Sequence, residues 1–358
     1  MSESLRYGWT TGACATAATA AACHGLWCGV FPDPIRIELP RGRTPEFGLA
    51  FTETTPGRAS AGVVKDAGDD PDVTHGATVV STVWPAEPGS GVVFHAGPGV
   101  GTITKPGLPL PVGEPAINPV PRRLITQAVT AAAEEHDEPA DLNVEISVPG
   151  GERIAEQTWN PRLGILGGLS ILGTTGVVVP YSCSAWIDSI RRGIDVARAV
   201  GIDHVAGATG STSEITARDL YGLPTEALLD MGDFAGAVLK YLRRHPVPRL
   251  TLAGGFAKLS KLAAGHLDLH SKRSQVDRGF LADLARESGA DEALAHAITE
   301  GNTALRALEL AQDANIPLGD VVASRARDTA LQVLDGAPVA VDVLAINRSG
   351  TIVGRAGP

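Results

Sequence analysis

Four aspartates fall within seven residues in Lys65-Asp66-Ala67-Gly68-Asp69-Asp70-Pro71-Asp72. Clustered carboxylates can hold a hard cation or supply a general base. The same residue types also make turns, and the D-x-[DN]-x-[DN]-G spacing of a calcium loop is missing. Asp66, Asp69 and Asp70 therefore stand as candidate bases by type, with no metal site expected. A second constellation, His266-Leu-Asp-Leu-His270, places two imidazoles one helical turn apart, a spacing that can bind zinc. It lacks the Glu of H-E-x-x-H and an evident third ligand, so an ordinary helix face or end is expected, and His270 joins the candidate bases. Cys23 and Cys28 are not in C-x-x-C spacing, and no G-x-S-x-G elbow is present.

Three short loops each follow an apolar run and precede a helical one. They are Gly207-Ala208-Thr209-Gly210-Ser211, Gly232-Asp233-Phe234 and Gly254-Gly255-Phe256. Strands that alternate with helices form parallel sheets, and such sheets bind ligands beyond the carboxyl ends of their strands. Glycine there lets backbone approach a ligand closely. An acidic residue ending the second strand often holds ribose hydroxyls, which is the role expected of Asp233. The candidate nucleoside site is thus Gly207, Thr209, Gly210, Ser211, Asp233, Phe234, Gly254 and Gly255. A strict G-x-G-x-x-G is absent from these loops. Gly97-Pro98-Gly99-Val100-Gly101-Thr102 comes nearest elsewhere, but no helix opens from it.

Residues 97–122 contain seven Pro and five Gly, the composition of a spacer, yet they also carry Thr102, Thr104, Lys105, Glu114, Asn118 and Arg122. Proline lowers the entropy of the unfolded chain, so a long loop can hold one shape. A rigid, site-lining loop is expected.

The elements that must position these groups read as two domains, in line with a length of 358 residues. Residues 1–180 read as a β-rich α+β domain. Thr10 and Thr11 open an Ala-rich helix to about Cys28, strand-like runs follow, Pro121 to His136 is helical, and Leu142 to Val148 alternates. Residues 181–358 read as a Rossmann-like parallel-sheet domain with additional helices and a C-terminal hairpin over 339–353. A net charge of −10 without a Lys/Arg-dense block excludes nucleic acid. No run of apolar residues suggests a membrane span, and MSESLRYGWTTG carries no basic-then-apolar leader. Four Cys in so long a chain make no disulfide scaffold, so a cytoplasmic, reduced protein is expected.

Several segments together resemble the CbiD family of cobalamin biosynthesis, cobalt-precorrin-5B C1-methyltransferases. They are Tyr-Gly-Trp-Thr-Thr-Gly at 7–12, the acidic stretch at 65–74, the 97–122 stretch, Val-Pro-Gly-Gly at 148–151, the glycine-rich run at 160–176 and Lys-Leu-Ala-Ala-Gly-His-Leu-Asp-Leu-His-Ser at 261–271. They keep their order over most of the chain. The sequence departs from the usual pattern at 179–184, 209–214 and 231–236. The resemblance implies S-adenosylmethionine as methyl donor and a cobalt corrinoid as acceptor, with cobalt arriving only as part of the substrate. It is compatible with a homo-oligomer and with transient contacts to neighbouring pathway enzymes.

Methyl transfer to a ring carbon demands in-line positioning, a dry site and, where a proton is lost, a base. An acceptor edged with carboxylates demands local cations, Arg above all. Thr10, Thr11, Thr102, Lys105, Glu114, Asn118, Arg122, Arg162 and Lys258 are the candidate substrate contacts. Thr10 and Thr11 are included because a helix N-terminus attracts anions. A nicotinamide-dependent reductase and a non-catalytic corrinoid carrier are the competing readings. If 97–122 lines the site, Lys105→Ala should weaken corrinoid binding in a titration while leaving donor binding intact.

Overall fold

The computed structural model describes residues 5–357. Residues 1–4, part of the stretch read above for a leader, and Pro358 lie outside the described residues. The chain divides into two compact units, 1–183 and 184–358. Both mix helices with sheets.

The first unit is built on strands β1 (Phe51–Thr55), β2 (Arg58–Val64), β3 (Thr78–Pro85), β4 (Val92–Ala96) and β5 (Leu142–Ser147), in the order β1-β2-β3-β5-β4. All neighbours are antiparallel except β5 and β4. Leu142, Val144 and Ile146 of β5 are buried and alternate with half-buried residues, as a one-faced strand requires. Helix α1 (Thr11–Cys28) packs on β2, β3 and helix α2 (Pro119–His136). It is buried on every side from Thr11 to Cys23, which its alanines permit because they keep the helix thin. Thr16 and Thr19 avoid orphaned hydroxyls by donating to the Gly12 and Ala15 carbonyls, each at 2.8 Å. Burial pushes the Cys14 and Cys23 thiols up to about 12, so both are inert fillers rather than nucleophiles. The alternating run at 35–39 pairs as a short strand, Ile35–Arg36 with Glu46–Phe47, and as an isolated bridge from Leu39 to Arg43.

The second unit carries β6 (His204–Ala208), β7 (Leu228–Asp230), β8 (Arg249–Gly255), β9 (Ala340–Ile346) and β10 (Ile352–Ala356), in the order β7-β6-β8-β9-β10. The first four are parallel and β10 runs antiparallel to β9. Its helices are α3 (Ser184–Ala199), α4 (Ser211–Tyr221), α5 (Ala235–Leu242), α6 (Phe256–Ala263), α7 (Arg278–Glu287), α8 (Glu292–Glu300), α9 (Ala304–Asp313) and α10 (Leu318–Leu334).

Two local expectations change. The terminal hairpin exists as β9–β10, but β9 also joins β8 in parallel, from Arg249 opposite Ala340 to Gly255 opposite Ile346. Val341 to Ile346 are all buried, the mark of an interior strand covered on both faces. The carboxyl end of β9 therefore lies beside that of β8. Helix α6 ends at Ala263, short of the expected Leu267, and Gly265 turns left-handed just beyond (φ 91°). His266 and His270 consequently share no helix face, and the zinc-type spacing loses its meaning.

Candidate active site

The segments singled out in the first unit come together. Gly8–Trp9 pairs antiparallel with Val177–Val178. The Trp9 N–H donates to the Asp66 carbonyl (2.7 Å), the Thr10 N–H to Gly176 (3.0 Å) and the Gly12 N–H to Leu172 (2.9 Å). Gly8 passes so close to Ala67 that a Cβ would lie 2.0 Å from its carbonyl carbon. Residues 7–12, 65–74 and 171–178 thus form one cluster. The hydroxyls of Thr10 and Thr11 are used inside it. Thr10 accepts from the Ala13 N–H (3.2 Å), and Thr11 accepts from the Leu172 N–H (3.0 Å). Both are buried, and the Leu172 carbonyl already caps Gly12, so this helix end is closed to a ligand carboxylate.

In the acidic loop each carboxylate has a defined partner. Asp66 accepts from the Arg6 guanidinium and from the Gly68 N–H (2.9 Å), and the Arg6 hydrogen bond holds its carboxyl below the usual range. A carboxylate kept ionised in this way orients better than it takes up a proton. Asp69 accepts the Arg6 N–H (2.6 Å) and Asp70 the Tyr181 N–H (2.7 Å), with Tyr181 in the left-handed region (φ 57°). Asp72 meets the Lys65 ammonium at 2.6 Å, and Lys65 is only 1% exposed. Thr74 adds two bonds to Asp72, from its N–H (2.8 Å) and its hydroxyl (2.6 Å). Burial alone would push the Asp72 carboxyl up, but Lys65 and these bonds hold it below its ordinary value. The roles of Lys65 and Arg6 were missed by the sequence reading, because no local pattern says that Lys65 is buried or that Arg6, 60 residues away, meets Asp66. Around this cluster Tyr7, Leu172, Val179 and Tyr181 are exposed.

The 97–122 stretch is no spacer. It interlocks with 160–172 through Gly99–Val100 on Gly168–Leu169, Thr102–Ile103 on Ile165–Leu166 and a bridge at Ile117–Ile171, and it folds on itself through a bridge at Thr102–Pro115. Arg122 is committed to the loop. Its Nε donates to the Ile117 carbonyl (2.8 Å), and its Nη2 to Glu114 (2.8 Å) and the Pro115 carbonyl (3.1 Å). Arg122 and Glu114 therefore clamp 114–118, and truncating Arg122 would unfasten the loop before removing any ligand contact. Asn118 caps α2 without a side-chain bond. The Lys105 stem lies over Gly164, and the Arg162 guanidinium lies 5.1 Å from the Trp159 ring centre.

In the second unit the sheet order places a crevice where β6 and β8 lead to opposite sides, the point at which parallel sheets bind ligands. A cleft of about 460 Å³ lies there. Four expected residues line it: Thr209, Gly210, Ser211 and Gly255. Thr303, Leu305, Leu308, Asn347 and Arg348 also line it and were not anticipated. The usable signal was the apolar run at 340–346, whose carboxyl end must face the same edge once it is read as a parallel strand. Helices α4 and α6 begin at Gly210 and Gly255 with no side-chain cap, so their amino ends open on the cleft. A Cβ at either glycine would meet nothing within 4 Å.

The other expected donor residues serve the scaffold. Cβ atoms at Gly254 and Gly207 would come 2.8 Å from Thr209 and 3.3 Å from the Met231 sulfur. Phe234 packs on Trp186 with ring centres 5.9 Å apart. Asp233 Oδ1 lies 3.1 Å from the Lys258 ammonium, which itself donates to the Thr209 carbonyl (3.1 Å). Lys258 thus ties the ends of β6 and β7 together. The 267–274 loop braces the same edge: the Leu269 N–H donates to the Asp233 carbonyl (2.8 Å), and Lys261 Nζ donates to the Leu269 carbonyl (2.9 Å). His270 is exposed on that loop, its Nδ1 accepting the Lys272 N–H at 3.2 Å.

The chain is similar to known proteins along nearly its whole length. The CbiD family matches residues 1–180, and the CbiD C-terminal domain matches 268–357. A cobalt-precorrin-5B C(1)-methyltransferase of Paramagnetospirillum magneticum is 63% identical over 354 residues, 99% of each chain. A protein of the same name from Brucella anthropi is 63% identical over 351 residues, 98% of this chain and 95% of its own. The crystal structure of the cobalamin biosynthesis protein cbiD from Archaeoglobus fulgidus is 30% identical, with a TM-score of 0.41, and covers 75% of this chain and 83% of its own.

The Lys65–Asp72 pair yields a test. Asp72→Asn leaves a buried ammonium without its counter-charge and should cost about 3 kcal/mol at pH 7 in urea unfolding. Because the folded pKa of Asp72 is depressed, its stabilisation is present above the ordinary carboxylate value of about 3.9. It is lost as pH falls through the lower folded value. The variant should lack that part of the acid limb; an unchanged acid limb would remove Asp72 as its source.

Proposed function

The chain belongs to the CbiD family, and we infer that it shares its relatives' reaction: methylation of cobalt-precorrin-5B at C-1, giving cobalt-precorrin-6A in cobalamin biosynthesis. On this reading the second unit is a Rossmann-like donor domain and S-adenosylmethionine occupies the cleft at the ends of β6, β8 and β9. The observation that carries the assignment is the pair of bare glycines, Gly210 and Gly255, at two uncapped helix starts. Backbone N–H groups there suit the donor's carboxylate, as does the exposed Arg348 on the rim. Leu305 and Leu308 give the opposite wall an apolar surface for a flat base. Once bound, S-adenosylmethionine supplies an electrophilic methyl on a sulfonium. The chain's own part is to hold it in line and keep water away.

The acceptor surface belongs to the first unit. Exposed Tyr7, Leu172, Val179 and Tyr181 suit an apolar ring face, and Lys105 and Arg162 suit its carboxylate edge. Asp69 and Asp70 remain the candidate bases, since Asp66 is paired with Arg6.

Gly255→Leu and Gly210→Leu fill open space at unstrained backbone, so each should fold with at most about a 1 kcal/mol loss from the poorer helix start. Each should weaken S-adenosylmethionine binding at least about tenfold by calorimetry, whereas wild-type affinity in both would move the donor elsewhere. A single-turnover incubation with S-adenosylmethionine and the cobalt precursor ring, read by mass spectrometry, should yield a ring heavier by one methyl at C-1. A ring that stays unmodified yet co-purifies would favour a corrinoid carrier.

A further inference from the structure

A second cavity, of about 560 Å³, lies in the first unit between the two helices and residues 35–42. His24 and Glu135 line it. His24 stands on α1, while Glu135 and His136 are the last two residues of α2. The packing of α1 on α2 brings the three together although the two histidines are 112 residues apart. His24 Nδ1 and His136 Nε2 are 2.8 Å apart, with the rings edge-on. One donor atom from each of the three residues lies within 4.8 Å of the others.

We propose that His24, His136 and Glu135 bind a divalent first-row metal ion, Zn²⁺ or Co²⁺ being best matched, at the mouth of this cavity. Two imidazoles and one carboxylate form a donor set that zinc accepts with a fourth position left open. Metal–nitrogen bonds of about 2.0–2.1 Å in a tetrahedral site separate two nitrogens by roughly 3.3 Å. The observed pair therefore needs to widen by only about half an ångström for a metal to replace the shared proton.

The field agrees with the donors. Glu135 and His136 close the last turn of α2, and His24 lies one turn from the end of α1. Helix carboxyl ends carry partial negative charge and favour a cation. The fourth position would face the cavity, whose lining includes Arg123, so an anionic group entering it would meet both the metal and that arginine. The acidic loop at 66–72 is the weaker candidate, because its carboxylates are already bound to Arg6, Lys65 and backbone N–H groups. The proposal does not depend on the methyl-transfer reading.

The test is a titration of chelator-stripped full-length protein with Co²⁺ alone, followed by its visible ligand-field bands, and with Zn²⁺ against a chromophoric chelator. Saturation at one ion per chain is expected. His24→Gln and His136→Gln should each weaken binding by about 100-fold or more, since loss of even an outer partner of a ligand costs about 10–100-fold. Glu135→Gln, on an exposed side chain, should weaken it by about tenfold and serves as the readout if a histidine variant misfolds. Absence of saturable Co²⁺ bands, or binding that survives all three substitutions, overturns the proposal.

Discussion

Two backbones can cross in direct contact only where a Cβ is missing, and the first unit depends on such crossings. Gly99, Gly151 and Gly168 meet at one point. A Cβ on Gly99 would lie 1.9 Å from the Val148 carbonyl oxygen, and one on Gly151 or Gly168 would lie 2.3 Å from Gly99 atoms. This contact lets the 97–122 and 160–172 loops share a ladder, places Arg122 where it can clamp 114–118, and sets the Leu172 carbonyl against α1. The Gly8 crossing does the same for the acidic loop. The proline-rich stretch is thus held by backbone contacts, with its side chains as fasteners.

Much of this was legible in the sequence, and the illegible part has a common cause. Helix α1 announced itself through Thr10 and its alanines, and the three strand-loop-helix units through their glycines, because both signals are local. That 97–122 is more than a spacer was legible from the polar residues set among its prolines. Partner choice was not: Arg122 is a loop clamp, Lys65 is buried under Asp72, and Asp233 faces Lys258. A charged side chain looks the same in sequence whether it awaits a ligand or holds a neighbour. The cleft residues Asn347 and Arg348 stayed hidden because their relevance follows from the parallel pairing of β9 with β8, a contact distant in sequence.

The helix starts at α1 and at the cleft are treated in opposite ways. In α1 the Thr10 hydroxyl and the Leu172 carbonyl occupy the first donors, and the helix is a strut buried from Thr11 to Cys23. In α4 and α6 no side chain covers the start, and glycine leaves room in front. The same backbone dipole is structural at α1 and offered to solvent at α4 and α6. A chain of net charge −10 can in this way present local positive potential without adding cations.

The late arrival of β9 bears on how the protein is made. Its pairing with β8 joins Arg249–Gly255 to Ala340–Ile346 across a helical excursion of residues 256–339. Contacts so far apart raise the contact order of the second unit, and loop closure must precede them. On the ribosome β6, β7 and β8 emerge long before the strand that completes their sheet, leaving one side of β8 without its neighbour in the interim. The cleft wall formed by Asn347 and Arg348 therefore assembles well after β6 and β8, and a nascent chain holds an incomplete pocket until residues 340–348 are synthesised.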